Sequence, residues 1–254
     1  MKFKFNIKRE LKIGAALAVL FFFIAFSERK QREVAVADIL IKVENLQENH
    51  FMDEGDVMKL MQLDQENLKG ASLGRLNMKA LEKKIKANRF VADAELYSDL
   101  KGNLIVKTTL RRPIARLVRN DGPDGYIAED GTIMPVSEKY TARVVVISGA
   151  FARQLLQEEN VKNVEHGADF MNLLEMIRDD DFWRAQIAQL DVDSKMKVTM
   201  LPQVGNQNIE FGRPENMDVK FRKLRIFYKE ILPQMGWNKY HRVNLEYEGQ
   251  IIAE

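Results

Sequence analysis

The chain has 254 residues and no cysteine, which excludes disulfides, thiolate metal sites and cysteine nucleophiles and leaves the fold to stand on its core alone. Its 39 basic and 37 acidic side chains nearly cancel, so no strong field points to nucleic acid or to an acidic substrate. No low-complexity tract and no convincing internal repeat interrupts it.

The first predicted element is apolar. Residues 13–26 (IGAALAVLFFFIAF) carry no charged or polar side chain, Leu11 and Ile7 extend the run, and Lys8, Arg9 and Lys12 can snorkel toward an interface. With that help the run reaches toward the roughly 30 Å of a bilayer core, so the expectation is a tail over 1–12 and a transmembrane helix over 13–27. A cleaved signal peptide is the rival, but Ser27-Glu28-Arg29-Lys30-Gln31-Arg32 is bulky and charged where a cleavage site needs small residues. Lys2, Lys4, Lys8, Arg9 and Lys12 precede the run, against Arg29, Lys30 and Arg32 after it. That bias predicts a cytoplasmic N-terminus in the cell inner membrane, with nearly everything after Ser27 outside.

A first domain is expected over 37–115. Residues 39–43 form a β-branched run ending at Val43, which reads as a strand. Asp53-Glu54-Gly55-Asp56 suits the positive end of a helix that carries Val57, Leu60 and Met61 on one face. Asn77 predicts an N-cap for a second helix over 78–87, with Leu81 and Ile85 one turn apart. Two strands, 94–98 and 104–110, flank a turn at 99–103, and Pro113 is expected to end or bend the second. The order β-α-α-β-β predicts an α+β module with helices on one face of a small sheet.

The second domain is expected over 116–254. A hairpin is predicted at 126–128 and 133–135 around Glu129-Asp130-Gly131-Thr132, then a buried strand at 143–147 closed by Ser148-Gly149. Phe170, Leu173, Leu174 and Ile177 make a helical stripe, and strands follow at 187–192, 197–201 and 208–211. The strongest helix is expected over 218–232, stopped by Pro233 and Gly236. Residues 242–247 and 250–252 read as extended, with Val243, Leu245 and Tyr247 on one face. A mostly antiparallel sheet with a few helices is the predicted architecture.

Catalytic chemistry is not visible. His50, His166 and His241 lie far apart without ligand spacing, and Asp179-Asp180-Asp181 reads as a helix cap or solvated turn rather than a metal site. Ser148-Gly149 lacks the flanking glycine of a nucleophile elbow, and no phosphate-binding glycine motif occurs. No enzyme activity, cofactor, small-molecule substrate or nucleic acid is therefore expected. Arg111, Arg112 and Arg116 form a basic cluster that suits a solvated edge or lipid headgroups.

In order and spacing these features resemble the FtsQ/DivIB cell-division proteins, whose small module is a POTRA domain. The residues that carry the likeness are Leu76-Asn77-Met78, Leu81-Glu82 and Phe90-Val91-Ala92-Asp93-Ala94, then Leu104-Ile105-Val106 and Leu110-Arg111-Arg112-Pro113-Ile114-Ala115. Tyr126-Ile127, Asp130-Gly131-Thr132-Ile133-Met134-Pro135 and the closing Val243-Asn244-Leu245-Glu246-Tyr247-Glu248-Gly249 complete it. The resemblance implies a divisome scaffold in septum formation that binds FtsB/FtsL-like coiled-coil membrane proteins through the C-terminal part of its β-domain. It points to Leu245, Tyr247, Gly249, Gln250 and Ile251 as partner-binding residues, with a POTRA face near Val43, Arg111 and Arg112 for other partners or the membrane surface. Two departures are a very short tail and Glu246, which stands where many relatives carry a basic residue. The alternative is a POTRA-type chaperone or accessory of an outer-membrane assembly system, which usually repeats the module and continues into a long barrel.

Overall fold

The computed structural model describes residues 14–22, 35–45, 49–61 and 70–254. Among these, no helix is long and apolar enough to cross a membrane. That overturns the single-pass anchor expected over 13–27, and with it the inner-membrane placement built on that anchor. The described part of the run is a helix, α1, over residues 14–22. Residues 1–13 and 23–34, which held the tail and the flanking charges, lie outside the described residues.

The chain divides into two compact units, one drawn from Met1–Glu44 and Asp53–Thr109, the other from Asn45–Met52 and Leu110–Glu254. In the first, β1 (Ile39–Glu44), α2 (Glu54–Met61), a 3-10 turn (Leu73–Arg75), α3 (Met78–Lys86), β2 (Val91–Ser98) and β3 (Leu104–Leu110) follow in sequence. The three strands form one sheet in the order β1-β3-β2, with β1 parallel to β3 and Ile39 opposite Leu104. Asn77 caps α3 by accepting the Ala80 N–H at 3.1 Å, and Lys83, Lys84 and Lys86 crowd its last turn, where the helix dipole is negative. Val57 and Met61 of α2, four residues apart, are fully buried, as are Ile85 of α3 and Leu104 and Val106 of β3. Each such side chain contributes about 2 kcal/mol by leaving water.

In the second unit, nine strands make one mixed sheet. They are β4 (Pro113–Leu117), β5 (Gly125–Ala128), β6 (Ile133–Pro135), β7 (Val145–Ser148), β8 (Ile187–Val192), β9 (Val198–Pro202), β10 (Asn208–Gly212), β11 (Arg242–Asn244) and β12 (Ile252–Ala253). Between β7 and β8 lie α4 (Ala150–Leu155), a 3-10 turn (Val161–Asn163), α5 (Gly167–Asp179) and α6 (Asp181–Gln186); between β10 and β11 lie α7 (Met217–Ile226), a π turn (Phe227–Ile231) and α8 (Leu232–Met235). The spatial order is β12-β11-β10-β9-β8-β7-β4-β5-β6. Three of the neighbouring pairs, β4 with β7, β7 with β8 and β10 with β11, run parallel. The helices explain two of them, because a helical crossover returns the chain to the same end of the sheet before the next strand begins. One core joins the sheet to these helices: the stripe Phe170, Leu173, Leu174 and Ile177 packs with Ile147, Leu190, Met200, Phe211 and Val243.

The strand before Pro113 ends at Leu110, and Pro113 itself opens β4, where the sheet registers a bulge between Pro113 and Ala115. The first residue of a strand is one of the few ladder positions that tolerates a missing N–H. Pro233, against expectation, does not by itself stop the long helix. The chain widens into the π turn before it, continues as α8 through Met235, and stops at Gly236, whose φ of 99° no longer permits a helix. Widening the turn ahead of a proline accommodates the ring and the carbonyl that loses its donor.

Candidate protein-docking edge

β12 ends the nine-stranded sheet. It runs antiparallel to β11, with Val243 opposite Ala253 and Asn244 opposite Ile252. One step further on, Arg242 and Glu254 exchange both backbone bonds, Arg242 N–H to Glu254 O at 3.1 Å and Glu254 N–H to Arg242 O at 3.0 Å. In an antiparallel ladder bonded and non-bonded pairs alternate, so Val243 and Ala253 are a non-bonded pair. The N–H and C=O of Ala253 therefore face away from β11, toward the open side of the sheet. An unpaired strand edge of this kind is a template for another strand.

Side chains fasten the region behind the edge. Arg242 grips Glu210 of β10 through two bonds, 2.7 Å and 2.9 Å, and reaches Glu254 at 3.4 Å. The Arg242 guanidinium, with smaller help from Asn244, holds the Glu210 carboxyl below the usual carboxylate range against the opposing effect of burial. Asn244 donates to Glu210 at 2.5 Å while its own Oδ1 accepts the Glu246 N–H at 2.8 Å, which turns the chain out of β11. Glu246 then lies over Gly212, where a Cβ would meet its side chain at 2.6 Å, and its carboxylate stands 3.7 Å from the Lys197 ammonium.

The side chains expected to bind a partner are split by burial. Leu245 is 0% exposed and belongs to the core. Ile251 is half-buried against that core, as is Ala253. Tyr247 is 51% exposed, so the alternation that begins at Val243 presents its third member to solvent. Gly249 takes a φ of 69° with open space around it, which identifies it as a turn residue, and Gln250 is exposed. Val43 is half-buried in β1 opposite Thr108, in the first unit, whereas Arg111 and Arg112 belong to the second. Arg111 pairs with Asp130 at 2.8 Å and Arg112 donates to Asn45 at 3.3 Å. Arg112 also lines an open groove of about 710 Å³ with Ile114, Arg143 and Arg178. The three residues are thus not assembled within one unit.

Residues that pattern alone did not single out include Lys220 and Lys223 on α7. Lys220 is 8% exposed and donates to the Arg213 carbonyl at 2.6 Å, with its ammonium 4.9 Å from the Phe211 ring centre. Lys223 donates to the carbonyls of Leu245 at 2.6 Å and Tyr247 at 2.8 Å, with Gln250 at 3.4 Å. Burial pushes both ammonium groups below the ordinary lysine range. A signal existed for the first: Lys220, Leu224 and Phe227 fall at helical spacing, which places a lysine within an apolar stripe.

No other constellation suggests chemistry. Among the described residues no group of His, Cys, Asp or Glu side chains is placed to hold a metal ion. Asp180 caps α6 by accepting the N–H groups of Phe182 at 2.9 Å and Trp183 at 3.2 Å, while Asp179 and Asp181 pair with Arg178 and Arg184. His50 stacks edge-on to Tyr140 at 5.4 Å. Ser148 donates to Asp191 at 2.6 Å and accepts from Gln189 at 2.8 Å, a ladder between neighbouring strands.

Two family models match the chain. One, described as FtsQ/DivIB, C-terminal related, covers residues 112–254, and the other, a POTRA-like domain, covers residues 35–109. No curated protein matches it.

Proposed function

Because this chain belongs to the FtsQ/DivIB, C-terminal related, family, we propose that it is a non-enzymatic scaffold of the division machinery that captures an FtsB/FtsL-like coiled-coil partner by adding a strand to β12. Family members are non-catalytic scaffolds, so the function resides in surfaces that meet other proteins rather than in a pocket. The observation that carries the reading is the outward-facing backbone of Ala253 at the end of the sheet. Strand addition draws affinity from main-chain hydrogen bonds and specificity from alternate side chains. Tyr247, amphipathic and half exposed beside this edge in the sequence, is the side-chain anchor in this scheme. Leu245 supports it from the core and does not touch the partner.

A pull-down of the FtsB-like partner tests the reading. Tyr247→Asp, or removal of residues 250–254, abolishes capture while the circular-dichroism spectrum of the domain is retained. Capture at undiminished strength by both variants would refute strand addition at this end of the sheet.

A further inference from the structure

The link from β11 to β12 folds its carbonyls inward, and the group they converge on is the Lys223 ammonium of α7. Leu245 O, Tyr247 O and Gln250 O stand 2.6, 2.8 and 3.4 Å from Nζ. An ammonium has three donors and no acceptor, so three carbonyls exhaust it. Among the described residues no carboxylate is paired with it, and burial pushes the ammonium below the ordinary lysine range. A lysine on a folded surface ordinarily points its head to water or to an acid. Here it serves as a built-in cation whose ligands all come from one loop.

The consequence falls on β12. That strand is two residues long and holds β11 through the pairs at 243 and 244 and the Arg242–Glu254 exchange. So short a strand has little stability of its own. Gly249, in the left-handed region at φ 69°, lets the loop turn back between the Tyr247 and Gln250 carbonyls that Lys223 gathers. Without the ammonium these carbonyls converge on one another with nothing between them, and the loop loses its reason to keep that shape.

We propose that Lys223 is a positioning residue for partner capture: its ammonium holds the 245–250 loop in the form that lays β12 on β11 in the register that turns the Ala253 backbone outward. This role presupposes that β12 is the docking edge, and the tests below separate the two. In the full chain, Lys223→Met raises amide exchange at Arg242 and Glu254 by about tenfold or more, since charge-assisted bonds are among the strongest in a fold. Affinity for the FtsB-like partner falls by a similar factor, and Lys223→Gln, which keeps a neutral donor, falls between. In this cysteine-free protein, Val243→Cys with Ala253→Cys offers a non-bonded cross-strand pair at a separation suited to a disulfide. Closing that disulfide in the Lys223→Met background restores affinity to that of the same disulfide with Lys223 intact.

Unchanged exchange in both Lys223 variants would overturn the latch, whatever happens to binding. Raised exchange with unchanged affinity would overturn the positioning role and would also tell against β12 as the docking edge. Affinity that is lost and not restored by the disulfide would show that Lys223 meets the partner directly, and would equally overturn it.

Discussion

Replacing Ala253 by proline tests strand addition at a single hydrogen bond. The Arg242–Glu254 exchange makes Val243 and Ala253 a non-bonded pair, so the Ala253 N–H has no role in the β11–β12 ladder. Proline there removes a donor that the folded chain does not use, and an edge strand tolerates it, so the domain should lose no more than about 1 kcal/mol. The partner meets two penalties. It loses one N–H to carbonyl bond, worth about 1 kcal/mol, and the pyrrolidine ring stands in the space where a strand at roughly 4.8 Å spacing must lie. Loss of one further bond beside the ring brings the total to about 2 kcal/mol, close to a thirtyfold rise in Kd. Titration calorimetry with the FtsB-like partner reads the affinity, and thermal melting reads the fold. Ala253→Ser, which keeps the N–H, should bind within about twofold of the parent because backbone bonds dominate strand addition. A proline variant with unchanged Kd would show that the partner does not pair with β12.

Three further outcomes concern the fold that carries this edge. Asp180→Ala removes the cap of α6 and the acid that pairs with Arg225, which lies 5.0 Å from the Trp183 ring centre; urea unfolding should show a loss of about 1–2 kcal/mol, and Asp180→Asn should recover most of it. Gly149→Ala places a Cβ 2.3 Å from the Val192 carbonyl oxygen at a φ of 95°, so a loss of about 3 kcal/mol or more is expected in the same assay. Glu210, held below the usual carboxylate range by Arg242, contributes stability that is present above its unfolded pKa of about 4.3 and is lost as pH falls through its lower folded value. The urea midpoint of the parent should therefore fall more steeply below that pH than the midpoint of Glu210→Gln, and parallel acid limbs would contradict the assignment.

Much of the local structure was legible because it depends on neighbours in sequence. The Asn77 cap, the hairpin turning at Gly131 with φ 84°, and the buried stripe of α5 each follow from residue types at fixed short spacing. Prolines were harder, because a missing N–H is tolerated or not according to whether the sheet or helix around it needs that donor. Pro113 sits where β4 begins, and Pro233 where a π turn has already widened the helix. The parallel pairs were equally hidden: strand direction depends on where a crossover helix packs, which no window of sequence contains.

The sequence alone determined many of the elements, though not β4, α4 or α6, together with the absence of thiol chemistry and a family likeness that the two domain matches carry. An apolar run also suggested a membrane span, whereas among the described residues no helix is long and apolar enough to cross a membrane. Tertiary structure decided which of the end residues are buried and which are exposed. Val243, Leu245 and Tyr247 alternate identically in sequence, yet the first two enter the core and the third is exposed, because the chain leaves the ladder at Asn244. Lys223 precedes the loop it gathers by more than twenty residues, and only the tertiary fold brings its ammonium to those carbonyls. The edge belongs to β12 rather than to the longer apolar run before it, because β11 is enclosed on both sides by hydrogen-bonded neighbours.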